Sequence, residues 1–299
     1  MKKKIINGVF VIVFLFGLSL LLYPYISNLW NEYRQSKLIT EYGEALIEHE
    51  EVDYSSEWEA TKQYNQDLLP QILPDAFVKA EMPGHFDEVY MSCLDLTGDG
   101  MMGYVEIPKI DVKIPVYHTT KEDVLEKAAG HIEGSSLPVG GESTHAVVLA
   151  HRGLPNLPLF TDLDRVDIGD RFLLYVLDDV LCYEVDHIVV VEPGDTQNLA
   201  IEEGKDLVTL MTCTPYGVNS HRLLVRGHRV EYEPEVLVQE ENPKAEVEQE
   251  KSLHTNYLFW VVAGLMVTGA VILVIGIHDH RGRKKTQGDG FESNEKLKK

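Results

Sequence analysis

The sequence predicts a mainly β domain, a barrel or sandwich, preceded by helices and held between two membrane-spanning segments. Three observations carry this. Short runs rich in Val, Ile, Leu and Tyr recur from Met101 onward (103–108, 112–117, 145–151, 171–177, 181–191, 206–213 and 222–232), separated by Gly, Pro, Asp and Asn clusters. Two uncharged apolar runs, 5–23 and 257–277, lie towards the two ends. The formal net charge of -21 is unevenly distributed: Lys2–Lys4 and the seven Lys/Arg of residues 278–299 leave 17 basic and 44 acidic side chains in the rest of the chain.

Each apolar run is long enough to cross a bilayer as a helix, at about 1.5 Å per residue. The first is read as an uncleaved anchor, because it exceeds a typical signal-peptide core and is followed by Tyr23-Pro24-Tyr25 instead of a small-residue cleavage site. Lysines precede the first run, and Arg281, Arg283, Lys284 and Lys285 follow the second. The positive-inside rule therefore puts both termini in the cytoplasm and residues 24–256 outside, with the lipid bilayer as a partner. The acidic central part lacks the basic footprint of a nucleic-acid binder.

Residues 29–68, with Leu38, Ile39, Tyr42, Leu46, Trp58, Tyr64 and Leu68 spaced by threes and fours among charges, predict one or two amphipathic helices. Gly43 and Asp53–Ser56 argue against a single unbroken one. Pro70, Pro74, Pro83 and Gly84 make 69–86 an irregular loop, whose apolar members Ile72, Leu73, Phe77 and Val78 need a groove or a core edge to cover them. Asp95–Gly100 lacks the ligand alternation of a calcium loop and reads as a turn. A short helix is expected over Asp123–Ala129, capped near Thr120 and ended by Gly130. Residues 233–256 have the acidic, weakly apolar composition of a linker.

Three cysteines are too few for a disulfide framework; a Cys93–Cys182 bridge stays open. No Cys/His spacing resembles a zinc site. Cys213 stands apart. It ends an apolar run that feeds a loop containing Pro215, Gly217 and Asn219, and Arg222 opens the next run. If these two strands pair antiparallel, thiol and guanidinium share one rim. A free thiol has a pKa of about 8.5, so a nucleophilic cysteine needs a base or cation nearby. His151, His221 and His228, each followed by Arg, are the candidate bases. His151 has the best context, at the end of Ala146–Ala150 before a Gly-Leu-Pro turn, but spacing alone does not rank the three. His118, His131 and His187 read as structural or solvent-facing. A guanidinium suits an oxyanion developing in acyl transfer. Arg226 shares the face of Arg222 further from the rim, and Arg229 lies on the opposite face.

TLMTC followed by TPYGVNSHRLLVRGHR, with AHRGLP upstream, resembles the sortase family, specifically the pilin-polymerising class C sortases of Gram-positive bacteria. The likeness runs from GDGMMGYVEIPKIDVKIPVYH through GHIEGSSLPVGGESTHAVVLAHRGLP and FTDLDRVDIGD to Arg229. It implies an eight-stranded sortase β-barrel with N-terminal helices and a lid loop. It also implies a nucleophile at Cys213, a catalytic histidine at His151, an arginine at Arg222, and no metal or organic cofactor. The family's lid carries Asp-Pro-aromatic; here Leu73-Pro74-Asp75-Ala76-Phe77 supplies Asp75 and Phe77 with the proline displaced. Ala150 also departs from the Gly that often precedes the histidine.

The implied activity is cleavage of a Leu-Pro-x-Thr-Gly-type sorting signal and transfer of its acyl group to a pilin lysine. A housekeeping sortase acting on peptidoglycan precursor, a cysteine hydrolase and a non-catalytic membrane assembly scaffold are the rivals. The chain is thus expected to comprise a cytoplasmic N-terminus (1–4), a span (5–23), an extracytoplasmic helical segment (24–68) and a lid with connector (69–97). The catalytic barrel (98–232), an acidic linker (233–256), a second span (257–277) and a basic cytoplasmic tail (278–299) follow.

Overall fold

A computed structural model describes residues 2–48, 53–68, 88–154 and 157–233. The Asp75–Phe77 lid motif, the acidic linker and the second apolar run lie outside the described residues. Eight strands close a barrel: β1 (Met101–Ile107), β2 (Val112–His118), β3 (Ala129–His131), β4 (Thr144–Leu149), β5 (Arg171–Val176), β6 (Asp179–Val191), β7 (Asp206–Thr214) and β8 (His221–Val230). Around the barrel the order is β1-β2-β3-β4-β7-β8-β6-β5. The β2–β3 and β4–β7 pairs are parallel and the others antiparallel.

Period-two alternation sorts the side chains. Ala146, Val148 and Ala150, Val208 and Leu210, and Leu223 and Val225 fill the barrel interior. The intervening Val147 and Leu149, Met211, and Leu224 point outward into a second apolar cluster. That cluster is covered by Leu125 of a short helix (α4, Glu122–Leu125), by Ile132, and by Leu199 of the 3₁₀ turn Gln197–Leu199.

Two expectations are corrected. The helix over Asp123–Ala129 is the single turn α4, and Gly130 ends no helix: it sits in β3, hydrogen-bonded between β2 and β4. A Cβ at Gly130 would lie 2.2 Å from the Thr119 carbonyl oxygen, so only glycine lets these backbones approach. The apolar run and the first amphipathic segment are also one helix, α1 (Lys2–Glu48), unbroken at Pro24 and Gly43. At 1.5 Å per residue α1 is about 70 Å long, more than twice the hydrocarbon core. It is the helix among the described residues that is long and apolar enough to cross a membrane. Its distal part packs on the barrel through Gln35, Ile39, Tyr42 and Leu46, spaced by fours and threes as one helical face requires. Gln35 Nε2 donates to Lys127 O at 3.0 Å, and the Tyr42 hydroxyl accepts from Leu177 N at 2.8 Å.

Helix α2 (Ser55–Asp67) docks by side-chain pairing with backbone. Asn65 donates to Leu137 O at 3.0 Å and accepts from Leu137 N at 2.7 Å, and Glu57 accepts from Leu94 N at 2.6 Å. Asp95 and Asp99 accept from the N–H groups of Gly100 and Met101, which closes a plain turn. Cys93, Cys182 and Cys213 are all thiols, and Cys93 and Cys182 pack in separate apolar clusters, so they form no bridge.

Helix α3 (Glu88–Ser92) meets the barrel through a fully buried network. His131 Nε2–H donates to Ser136 O at 2.8 Å, so in the neutral ring Nδ1 accepts from the Tyr90 hydroxyl at 3.1 Å. That hydroxyl already accepts from Thr119 N at 3.1 Å. A proton on Nδ1 would displace the hydroxyl's donation to the ring and turn it to His131 O, 3.3 Å away. Burial, abetted by neighbouring His118, lowers the His131 pKa from 6.5 to about 4. The unfolded chain binds a proton that the folded chain refuses, so this contribution is complete above pH 6.5 and is lost as pH falls towards 4. The expected loss is about 3 kcal/mol, at about 1.4 kcal/mol per pKa unit. Denaturant titrations of wild type and His131→Gln between pH 7 and pH 4 check it: the variant's stability should fall less steeply, and parallel curves would remove His131 as the cause.

Candidate active site

The site is built where β7 runs into its connection to β8. Register pairs Cys213 directly with Arg222, and Arg222 with Val191 on its other side. Cys213 has the parity of outward-facing Met211, and Arg222 that of Leu224, so both lie on the outer face, one row above the apolar Leu149–Met211–Leu224–Val189 row. The β4–β7 ladder fixes the third member. Its parallel pairs run from Thr144↔Asp206 to Leu149↔Met211 at a constant offset, continued by Ala150 N donating to Met211 O at 3.2 Å. The same offset carries His151 to the level of Cys213. One further step along, Arg152 Nη1 donates to Thr214 Oγ1 at 3.1 Å, so the alignment persists past both residues. The register thus brings His151, two residues past the end of β4, level with Cys213 and Arg222 on β7 and β8. His221 and His228 do not join this row: His221 is exposed beside Ser220, and His228 lies low on β8 near Asp186.

The environment differs for each. Cys213 and Arg222 are each 7% exposed, shallow at the rim and outside the barrel interior. Arg222 Nη1 donates to Asn219 O at 3.3 Å and His221 O at 3.1 Å, which anchors the guanidinium in the β7–β8 connection. That connection is a tight turn, with Val218 N and Asn219 N both donating to Pro215 O. Burial lowers the His151 pKa, opposed by the carboxylates of Glu122 and Glu126 on and just after α4. Leu125 packs α4 against the outer apolar row, and the Glu122 and Glu126 carboxylates beside it act on the imidazole. The other arginines of β8 are committed elsewhere. A register shift at Asp186 lets its carboxylate take Arg226 at 2.9 and 3.1 Å while Glu202 takes it at 2.7 Å; Arg229 lies over the Tyr183 ring.

A cavity of about 810 Å³ opens at the opposite end of β4, where Lys62, Asn65, Gly140, Thr144 and His145 form part of its wall. It is separated from the Cys213 row by the length of the strand. Among the described residues no group of three His, Cys, Asp or Glu side chains could hold a metal ion.

A thiol, an imidazole and a guanidinium in one row can support acyl transfer. Residues 105–230 match the model of the sortase domain. The crystal structure of Streptococcus pneumoniae sortase C is 46% identical, with a TM-score of 0.59, and the match covers 66% of this chain and 97% of that one. The chain belongs to the sortase family. Sortase C1 from Streptococcus agalactiae is similar to this sortase at 44% identity and a TM-score of 0.58, over 66% of this chain and all of that one (100%). Sortase D of Bacillus subtilis (strain 168) is 30% identical over 131 residues, which are 43% of this chain and 63% of that relative's length. Sortases are cysteine transpeptidases, and the closed mixed barrel of this sortase accords with that family's fold.

Two features of the site had no signal in the sequence. The Glu122 and Glu126 carboxylates come into play only because the crossover between parallel β2 and β3 lays α4 over the outer apolar row. The Arg152–Thr214 link needs the parallel pairing of two strands far apart in the chain; the His-Arg dipeptide was visible, but nothing local pointed to its partner.

Proposed function

We propose that this sortase is a class C, pilin-polymerising enzyme that cleaves a Leu-Pro-x-Thr-Gly-type sorting signal and joins the freed acyl group to a lysine of a pilin. What supports the chemistry is the pairing of Cys213 with Arg222 on β7 and β8, together with the β4–β7 register, which brings His151, two residues past the end of β4, level with Cys213. The likeness to Streptococcus pneumoniae sortase C, an enzyme described for its pilin substrate specificity, favours a pilin over other acceptors.

The Cys213 thiolate attacks the Thr carbonyl carbon, and the Arg222 guanidinium takes up the developing negative charge on oxygen. The Thr–Gly C–N bond breaks as His151 gives its proton to the departing Gly amine. A thioester remains on Cys213. The pilin lysine amine, losing a proton to His151, then attacks the thioester and expels the thiolate, leaving an isopeptide bond. His151 must give a proton in one step and take one in the other. Burial lowers the His151 pKa, which favours the neutral base of the second step, and the opposing carboxylates of Glu122 and Glu126 support the imidazolium of the first. No oxidant, metal or organic cofactor enters this balance.

Asp75 and Phe77, proposed as lid residues, would cover the groove; the catalytic domain would stand outside the cell on two membrane passes with both termini cytoplasmic. The lysines before α1 and the basic 278–299 segment support that topology.

The test is mass spectrometry of the full chain with a sorting-signal peptide, with and without a pilin domain. The expected result is a thioacyl adduct on Cys213 and, with the pilin, a new Lys-linked amide. Release of free acid alone would make the protein a hydrolase, and transfer only to a peptidoglycan precursor amine would make it a housekeeping sortase.

A further inference from the structure

Two side-chain links bracket the level of His151 and Cys213. On the barrel side, buried Thr212 donates from Oγ1 to Ala150 O at 2.8 Å. On the rim side, beyond the end of β4, Arg152 Nη1 donates to Thr214 Oγ1 at 3.1 Å while Nη2 donates to the carboxylate of Asp164 in the 3₁₀ turn Leu163–Arg165. The residue after the imidazole is thereby tied to the residue after the thiol. The neighbouring backbone reinforces the tie: Phe160 N donates to His151 O at 3.2 Å, and Gly153 N donates to Thr161 Oγ1 at 3.1 Å. Gly153 (φ +79°) lies so close under the Tyr216 ring that a Cβ there would be 2.9 Å from it.

The link is a poor device for stability alone. The Arg152 side chain is 8% exposed but its Asp164 partner is 48% exposed, and such half-solvated pairs contribute little. Arg152 Nε is buried and has no acceptor among the described residues, an arrangement that carries a desolvation cost. What the arginine supplies is geometry. A planar fork can hold a hydroxyl and a carboxylate at fixed angles, which a lysine ammonium does not reproduce.

We propose that Arg152 is a positioning residue: tied to Thr214 and Asp164, it closes the β4–β7 seam at the rim and holds the His151 imidazole at working distance from the Cys213 thiol. This rests on the cysteine transpeptidase reading of the site. Other charged groups around His151 are Glu122 and Glu126 from α4 and, across the row, Arg222 from β8.

The experiment uses the full chain as wild type, Arg152→Gln, Arg152→Lys, Thr214→Val and the Arg152→Gln/Thr214→Val double variant. Acyl-enzyme formation with a sorting-signal peptide gives kcat and KM, and iodoacetamide alkylation of Cys213 gives a pH profile without substrate. Arg152→Gln should lower kcat about 10- to 100-fold, the scale of a misplacement on the order of 1 Å, with KM nearly unchanged. Arg152→Lys should stay nearer to the Gln variant than to wild type, and Thr214→Val should lose part of the rate. The double variant should be no slower than Arg152→Gln, because both remove one link. The alkylation midpoint should rise in Arg152→Gln, as the thiolate loses imidazolium support. Variants that acylate and alkylate like wild type, or a double variant whose losses multiply, would overturn the proposal. Wild type that never acylates, combined with a shifted alkylation midpoint in Arg152→Gln, would sink the transpeptidase reading and keep the positioning role.

Discussion

Cys213→Ala is expected to abolish both the thioacyl adduct and the amide product while leaving the barrel folded. The substitution deletes one sulfur at a shallow position outside the barrel interior. Removing it costs about 1 kcal/mol, the middle of the range for single substitutions, and so lowers the Tm by roughly 2–4 °C. The chemical loss is of another order. Without the nucleophile no thioester forms, and turnover should fall roughly 10⁴-fold or more, as when a covalent catalyst loses its attacking atom. Cys93→Ala and Cys182→Ala are the controls: both thiols are buried in apolar clusters away from the site, so these variants should retain turnover even where they lose stability. Amide formation by Cys213→Ala, or its loss in either control with the fold intact, would place the reacting sulfur elsewhere.

Arg222→Gln should slow acylation about 10²- to 10³-fold, the cost of losing one oxyanion donor. The effect belongs in kcat, because the charge it answers exists only in the transition state. Arg222→Lys should recover little, since Nη1 is held by Asn219 O and His221 O and thereby orients a planar group whose other nitrogens a lysine lacks. Arg226→Gln is the informative comparison. It breaks the pairs with Asp186 and Glu202 and leaves a carboxylate without its partner, so stability should drop while acylation stays within a few-fold of wild type. Rapid-quench acylation rates and thermal unfolding of the three variants check this; equal rate losses at positions 222 and 226 would break the assignment of the oxyanion role to Arg222.

What was legible in the sequence divides by the range of the interaction that decides it. The antiparallel pairing that sets Cys213 opposite Arg222 is local, two β-rich runs joined by a short turn-rich segment, and the run pattern alone pointed to it. The level of His151 depends on a parallel pair between β4 and β7, with β5 and β6 intervening in the chain, and no local pattern encodes which strand lies beside which. The resemblance to a family supplied that choice. Strand β3 was missed because Ala129, Gly130 and His131 are too few to show alternation, and because glycine after a helical turn reads as a cap when its real constraint is the Thr119 carbonyl pressed against it. His131 looked ordinary for a related reason: Ser135 and Ser136 reach it through the local turn, but Tyr90 joins them only when α3 docks. Nothing in Tyr23-Pro24-Tyr25 marked the helix as running on past the apolar run, yet α1 continues, and its barrel-facing residues begin at Gln35.

That continuity bears on how the enzyme meets its substrates. A stiff rod resists bending and torsion where a loose tether gives way, so a barrel clamped to α1 at Gln35 and Tyr42 cannot swivel independently of the apolar half of the same rod. Were that half set in a bilayer, the rim bearing Cys213 would keep a nearly constant altitude and bearing above the lipid. Encounter would then depend on incoming proteins turning to face the enzyme, and a sorting signal held near the membrane surface would meet a mouth already aimed.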